Sequence, residues 1–229
     1  EGKIFCEFPP RKYLEILSER IDPESYAKPM FLKQVGWKGM VEGEKSGIYR
    51  VGPLGRLNVA DTMSTVEARA EFERMFHFLR GKPVHNLFAY HWARFVEVLN
   101  AAEKMVELAE KKELTDRRIR SIQFETPREG FGACEAPRGT LFHHYKTDPE
   151  GIIKKCNLLV ATQNNTSAIS MAVDKMAKFV INGEKFSAEQ ANMIEMAFRA
   201  FDPCLACATH CMEIGDSRKE RELFRWTKD

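Results

Sequence analysis

The sequence lacks the features that would assign it to several large classes of protein. It has no run of 18 apolar residues, which a membrane-spanning helix needs, and its first residues show no signal-peptide pattern. Its 35 basic and 33 acidic residues nearly cancel, and the formal net charge of +2 does not favour binding to nucleic acid or to an anionic membrane. Repeats and low-complexity tracts are also absent. We therefore expect an ordinary globular protein, whose 229 residues are enough to bury a core.

A disulfide framework is not indicated either, although the chain has six cysteines. Such frameworks belong to short, secreted, cysteine-rich chains. Cys6, Cys134 and Cys156 lack the spacing of metal ligands, and we expect them to be buried as small apolar residues. Cys204 and Cys207 lie close together in the sequence. This usage predicts a reducing, cytoplasmic setting in which thiols serve metal binding or packing.

Helical periodicity is strongest in the middle of the chain. Apolar residues at helical spacing predict a helix over 65–79, and Gly81 and Pro83 then end it. A longer stripe, at steps of four and three, predicts an amphipathic helix over 86–112. The stripe consists of Phe88, Trp92, Phe95, Leu99, Ala102, Val106 and Ala109. We expect it to belong to the core and assign it no chemistry.

Strands are predicted in two places. Residues 47–54 resemble a strand that ends in a turn. The apolar segments 140–145 and 152–160 flank Asp148-Pro149-Glu150-Gly151, in which proline at the second position and glycine at the fourth favour a type I turn. These two segments therefore predict a β-hairpin.

Two further helices are expected near the C-terminus. The first covers about 167–181. The second begins at Ser187, where Gln190 completes a capping box, and ends at Asp202, because Pro203 disfavours a helical conformation in the residue before it. The predicted fold class is mainly α with a small β-hairpin component.

Residues 202–210 carry the clearest chemical signal. The string D-P-C-L-A-C-A-T-H places Cys204 and Cys207 three positions apart and His210 three further on. Thiolates are soft, strongly donating ligands, and two at this spacing can converge on one ion. A structural zinc site needs four ligands, and Cys211 is the nearest candidate for a fourth. The string alone leaves a nickel site, a zinc site and merely reactive thiols open.

The string closely resembles the C-terminal metal-ligand motif, D-P-C-x-x-C-x-x-H, of nickel–iron hydrogenase large subunits. Three other segments resemble parts of the same family, and they occur in the family's order. Residues 49–58 resemble its V-G-P-L-x-R-x-N stretch, residues 134–141 its E-A-P-R-G motif, and residues 160–165 the segment that lines the iron's diatomic ligands. The resemblance implies the helical core of these large subunits, and it implies an oxidoreductase that cleaves hydrogen reversibly to protons and electrons. It is strongest to cytoplasmic, cofactor-coupled enzymes of the methanogen type, which deliver electrons to a deazaflavin or a disulfide reductase.

The resemblance also implies a nickel–iron centre with cyanide and carbonyl ligands. By position, Cys204 matches the terminal nickel thiolate and Cys207 the thiolate that bridges nickel and iron. His210 matches a ligand of a nearby magnesium ion.

Four other residues are implied to surround the metals. Arg138 matches a guanidinium above the open metal position, and Asp202 matches the acidic partner that holds this arginine. Pro137 and Thr162 match residues that contact the iron's cyanide and carbonyl ligands.

The sequence departs from the family in two respects. The upstream R-x-C-G-x-C motif, which supplies the other two of four sulfurs, is absent. Residues 1–229 therefore look like the C-terminal part of a large subunit, and we expect them to be inactive without an upstream half and an iron–sulfur small subunit. In addition, residues 211–229 follow the motif histidine, and we expect them to be an extension that a maturation peptidase removes.

Two alternatives remain open at this point. A non-catalytic relative of the large subunit would serve a structural or electron-transfer complex, but such relatives typically lack the metal thiols that this chain retains at Cys204 and Cys207. A small zinc-binding interaction module would show one zinc and no iron on metal analysis.

Overall fold

The computed structural model describes residues 4–23, 25–43, 45–117, 119–120, 125–181, 183 and 186–209. The helices are α1 Tyr13–Ile16, α2 Pro53–Val59, α3 Val66–Phe78, α4 Ala89–Ala109, α5 Ala161–Val180, α6 Ala188–Arg199 and α7 Leu205–Ala208. The strands are β1 Leu17–Glu19, β2 Met30–Leu32, β3 Glu129–Ala136, β4 Gly139–Thr147 and β5 Ile153–Leu159. The mainly α fold with a small antiparallel component is confirmed. None of the described helices is both long and apolar enough to cross a membrane.

The main hydrophobic core lies among α2, α3, α4, α5 and α6. Its fully buried members include Leu54 from α2, Met75 from α3 and Val96 from α4. Phe201, which follows α6, packs near Tyr90 of α4 with 5.0 Å between ring centroids. The core therefore connects the middle of the chain to the start of the cysteine motif.

The face that α4 turns to this core is not the predicted one. Its buried residues are Ala89, Tyr90, Ala93 and Val96. In contrast, Phe95 and Val106 of the predicted stripe are 72% and 63% exposed. Helix α4 carries apolar residues on two widely separated faces, and periodicity does not show which of them the neighbouring helices cover.

Helix α3 begins with a cap that comes from another helix. Thr65 precedes its first turn, but the Thr65 side chain does not cap it. Instead the Glu103 carboxylate of α4 accepts hydrogen bonds from the backbone N–H groups of Glu67 and Ala68, at 3.1 and 3.0 Å, and from the Thr65 hydroxyl at 2.6 Å. The free N–H groups at a helix start need such acceptors.

The predicted hairpin is present as β4 and β5, and β3 extends it to an antiparallel sheet of order β3-β4-β5. Strand β3 was missed because Gly130 and Gly132 read as chain breakers. On one face of the sheet, Phe142 and Leu159 pack with Tyr13 in a second core cluster. The turn at Asp148 is closed by its carboxylate, which accepts the N–H groups of Glu150 and Ile152 at 3.1 and 2.8 Å.

Two other expectations are corrected. Residues 47–52 form no strand, and α2 begins at Pro53 directly after them. Helix α5 begins at Ala161, ahead of the predicted 167, because the polar run after Val160 is helical and buried. The capping box at Ser187 and Gln190 is confirmed.

Candidate metal centre

The loop with the two cysteines begins at Asp202. Helix α6 ends at Arg199, and Asp202 then adopts a left-handed conformation with φ of 49°. Aspartate is one of the few non-glycine residues that tolerate this conformation, and Pro203 disfavours the right-handed helical one. The helix ends before Pro203, as predicted. Its last residue is Arg199, three residues earlier than the predicted end at Asp202.

Thr162 attaches the loop to α5. It lies in the first turn of α5, is 3% exposed, and its hydroxyl oxygen accepts the backbone N–H of Cys204 at 3.1 Å. Because the oxygen acts as an acceptor in this bond, the hydroxyl hydrogen can still be donated to another group.

The predicted convergence of Cys204 and Cys207 is confirmed. Their sulfurs are bonded to each other, and their Cα atoms lie 5.4 Å apart across α7. Cys204 is half-buried and Cys207 is exposed. Since only thiolates bind metal, the bond must be reduced before the pair can act as ligands.

The prediction that the other cysteines are buried is wrong. Cys134 and Cys156 are exposed free thiols, and Cys6 is half-buried. Cys134 lies on β3 and Cys156 on β5, the two outer strands of the sheet. Register pairs Cys134 with Leu141 and Cys156 with Tyr145, on the sheet face opposite Phe142.

Arg138 and Asp202 come together although they are 64 residues apart. Arg138 Nε donates to the backbone carbonyl of Asp202 at 2.5 Å and lies 3.2 Å from its carboxylate Oδ2. The predicted approach of the two residues is confirmed. In the described part of the chain no partner binds the terminal Nη groups of Arg138, so the guanidinium keeps four N–H donors for another ligand.

Two glycines let the turn that carries Arg138 lie directly on the chain before α2. Gly139 has φ of 137°, and a Cβ atom there would lie 2.2 Å from Cγ2 of Val51. Gly52 has φ of 107°, and a Cβ there would lie 3.0 Å from the carbonyl oxygen of Arg138. Val51 is itself held by the Asn165 side chain, which bonds its N–H at 2.9 Å and its carbonyl at 3.1 Å.

Sequence reasoning missed Arg56, which lies in the matched segment 49–58 without an assigned role. Its guanidinium pairs with Glu97 at 2.7 Å and Glu135 at 2.9 Å. It also donates to the carbonyls of Ala136 and Pro137 at 2.8 and 2.9 Å. Burial alone would lower the pKa of Arg56, but its hydrogen bonds to these carboxylates raise it above its ordinary value.

The polar start of α5 was also missed as a structural element. Gln163, Asn164 and Asn165 are at most 2% exposed. The Tyr49 hydroxyl donates to Asn164 Oδ1, and burial raises the pKa of Tyr49. Asn164 in turn donates to the carbonyl of Thr140 at 3.0 Å. These amides join the matched segments 49–58, 134–141 and 160–165 into one site.

The predicted site residues therefore fall into three groups. Cys204, Cys207 and Thr162 lie together, and Arg138 with Asp202 adjoins them. Pro137 is exposed, and its carbonyl accepts a hydrogen bond from Arg56. His210 lies outside the described residues, as does the predicted extension 211–229.

The residues present fit part of a nickel–iron centre. The described residues offer two soft sulfur donors from one loop beside a permanent cation, but no cluster of three or more His, Cys, Asp or Glu side chains. Further ligands would have to come from outside the described residues.

Comparison with known proteins identifies the class to which this fold and site belong. The family model of nickel-dependent hydrogenases matches residues 44–210. The chain belongs to this family, and the resemblance deduced from its motifs is confirmed.

The curated relatives that the chain matches are subunits of hydrogenases. The chain is 45% identical over 213 residues to an F420-non-reducing hydrogenase iron-sulfur subunit of Archaeoglobus profundus, covering 93% of this chain and 44% of the relative. It is 40% identical to a subunit of the F420-non-reducing hydrogenase vhc of Methanococcus voltae, covering 96% and 45%. The NAD-reducing hydrogenase HoxS subunit beta of Cupriavidus necator is 36% identical, with coverage of 91% and 42%. The chain thus spans less than half the length of the curated relatives it matches.

Solved structures agree on the fold. An NAD+-reducing nickel–iron hydrogenase in the H2-reduced state superposes with a TM-score of 0.81 at 38% identity, over 89% of this chain and 43% of that one. A NiFeSe hydrogenase of Desulfovibrio vulgaris Hildenborough superposes with a TM-score of 0.58 at 20% identity, over 90% and 46%. The protein therefore has the fold of nickel-dependent hydrogenase large subunits.

Proposed function

We propose that this chain supplies the C-terminal half of the catalytic site of a nickel–iron hydrogenase, which cleaves hydrogen reversibly to protons and electrons. The observation that carries the proposal is the joint position of Arg138, Asp202 and the Cys204–Cys207 pair. Three segments distant in sequence converge there. A zinc module would need neither the buried amides of α5 nor an arginine fixed beside its thiols.

Each residue has a defined task in this proposal. Cys204 and Cys207, once reduced, would hold the metals as thiolates. When bound, the nickel–iron centre would supply the Lewis acid that polarises hydrogen. Thr162 would donate its hydroxyl hydrogen to a cyanide ligand of the iron, and Pro137 would pack against the diatomic ligands.

Arg138 would act as a fixed positive charge. Its Nε–H is engaged by Asp202, and its Nη groups would be the donors that face the open metal position. Since arginine remains protonated at any physiological pH, it cannot act as the proton acceptor. It would instead stabilise negative charge and orient the leaving proton toward a basic group such as a thiolate.

The partners follow from what the chain does not contain. The relatives are about twice as long, and two sulfurs cannot complete a four-sulfur centre. We therefore infer that residues corresponding to the relatives' other half, in the same polypeptide or in another, complete the site. The exposed apolar stripe of α4 supports this inference, because a helix face with Phe95 and Val106 exposed is typical of an interface.

Electrons would leave through an iron–sulfur small subunit, since the chain has no cluster motif of its own. The relatives named as F420-non-reducing favour a methanogen-type, cytoplasmic enzyme whose electrons reach a cofactor-linked reductase. We further propose that His210 binds magnesium and that a maturation peptidase removes residues 211–229.

The test is metal and activity analysis of the complex purified through this chain. We expect about one nickel per chain, with iron in excess over nickel because the small subunit would carry iron–sulfur clusters. We also expect hydrogen-dependent reduction of a viologen dye that Cys204→Ser and Cys207→Ser each abolish. One zinc per chain without iron would instead establish the zinc module. Nickel and iron without hydrogen turnover would support a non-catalytic relative.

A further inference from the structure

The guanidinium of Arg56 uses every hydrogen-bond donor it has. Its five N–H groups are directed to the two Glu97 oxygens at 2.7 Å each, to Glu135 at 2.9 Å, and to the carbonyls of Ala136 and Pro137 at 2.8 and 2.9 Å. An arginine has five such donors in a fixed plane. A surface ion pair does not require all five donors to be bonded, and here they are bonded to four different residues.

The two carbonyls are the informative partners. They belong to consecutive residues, and the second of them immediately precedes Arg138. Glu97 holds the guanidinium bidentately from α4, a rigid helix of the main core. Arg56 therefore links α4 to the two peptide units before Arg138 and fixes their position relative to that helix.

The other side of the turn is fixed as well. The carbonyl oxygen of Arg138 lies against Gly52, and Gly139 lies against Val51. Gly52 directly precedes α2, the helix that carries Arg56. With the backbone fixed on both sides, the Arg138 side chain needs only its bond to Asp202 to have a defined direction.

We propose that Arg56 is a positioning residue, which sets the location of Arg138 beside the cysteine pair, and that Glu97 in turn fixes Arg56. The inference rests on the proposed function because it takes the task of Arg138 from there. Arg56 itself touches neither the cysteines nor Asp202. Its effect on catalysis would therefore pass entirely through Arg138.

Arg56→Lys is the informative variant. Lysine keeps the positive charge, but its compact ammonium cannot bind a carboxylate bidentately and two carbonyls at once. The turn would lose at least one of its two carbonyl bonds while the charge balance stays the same. Arg199→Lys is the matched control, because Arg199 pairs only with α6 side chains at the surface.

The first measurement is independent of metal and of hydrogen. In the full chain labelled with ¹⁵N-arginine, the Nε–H signal of Arg138 is assigned by its loss in Arg138→Lys. We expect this proton, held by the Asp202 carbonyl, to exchange with water at least tenfold faster in Arg56→Lys and unchanged in Arg199→Lys. Unchanged protection in a folded Arg56→Lys chain would overturn the proposal. If that variant does not fold, Glu97→Gln replaces it, with a smaller acceleration expected.

The second measurement is a double-mutant cycle in the assembled enzyme. Arg56→Lys should lower kcat about tenfold without loss of nickel or iron, and Arg56→Lys combined with Arg138→Lys should be no slower than Arg138→Lys alone. If the double variant instead shows the product of the two single losses in kcat, Arg56 acts independently of Arg138 and the positioning role is wrong. An enzyme without hydrogen turnover would refute the proposed function, whereas the exchange experiment would still decide the position of Arg138.

Discussion

At the scale of single residues, Asp202 holds Arg138 mainly through its backbone. The Nε of Arg138 lies closer to the Asp202 carbonyl, at 2.5 Å, than to the carboxylate, at 3.2 Å. The left-handed conformation of Asp202 presents that carbonyl to the arginine. The carboxylate adds charge to a contact that the main chain already makes.

Asp202→Asn should therefore be a mild variant and Arg138→Lys a severe one. Asparagine tolerates the left-handed conformation and keeps the carbonyl, whereas lysine cannot reproduce the planar donor set. We expect Arg138→Lys to retain nickel and iron but lose activity by roughly 100-fold, a loss typical of removing one preorganised donor. Asp202→Asn should lose clearly less activity than Arg138→Lys. The measurement is hydrogen-dependent dye reduction with metal analysis, and equal losses for both variants would contradict this ranking.

Gly139→Ala should disturb the site through sterics alone. Its φ of 137° is one that side chains rarely adopt, and the new methyl group would lie within van der Waals overlap of Val51. We expect a loss of about 1–3 kcal/mol in the free energy of unfolding, measured by denaturant titration. Gly132→Ala on β3 is the control, because a Cβ there meets open space. Equal stability of the two variants would show that the turn can move away from Val51.

At the scale of elements, local signals predicted what local interactions determine. The capping box at Ser187, the turn at Asp148 and the break at Pro203 each depend on residues a few positions apart, and all three are present. Strand β3 and the face of α4 depend on distant neighbours, so the sequence pattern alone could not assign them. Arg56 belongs to the same group, since its partners lie 41 to 81 positions away.

The cap that Glu103 provides for α3 makes stability depend on pH. Its hydrogen bond with the Thr65 hydroxyl, aided by backbone N–H groups, lowers the pKa of Glu103 in the folded protein. A lowered pKa stabilises the fold fully above the ordinary glutamate value of about 4.3, and this contribution is lost as pH falls through the lowered value. Glu103→Gln should therefore be less stable at pH 7 and lose less stability on acidification. The check is thermal unfolding at pH 7 and pH 4, with Glu110→Gln at the exposed end of α4 as control. Parallel pH profiles for the wild type and Glu103→Gln would contradict the assignment.

The exposed stripe of α4 should bind the proposed other half of the large subunit. Phe95→Ser should leave the thermal stability of residues 1–229 nearly unchanged, because the ring is 72% exposed, but reduce co-purification of a separately expressed other half at least tenfold. Val96→Ser, at a position with no exposure, should instead unfold the chain. Normal co-purification with Phe95→Ser would show that the partner binds elsewhere.

At the scale of the whole molecule, the sequence motifs identified the family and four matched segments, but not how these segments are joined. The buried amides of Asn164 and Asn165 and the five bonds of Arg56 connect them, and these residues carried no separate signal in one sequence. The roles of Cys204, Cys207, His210, Pro137 and Thr162 toward the metals remain predictions.

Mass spectrometry tests whether the C-terminal extension, residues 211–229, is removed. We expect the active enzyme to lack residues 211–229, and the chain that accumulates without nickel to retain them. Intact-mass spectrometry of both forms measures this directly. An active, metal-replete enzyme that still carries Trp226 would show that the extension is retained.

The open face of α4 also sets a condition on how the protein can be produced. A chain synthesised without its counterpart presents Phe95, Val98, Met105 and Val106 to the solvent along one helix. Surfaces of this kind promote self-association at the concentrations of recombinant expression. Expressed alone, residues 1–229 should give a lower yield of dispersed protein, and joint expression with residues that correspond to the relatives' other half should raise it.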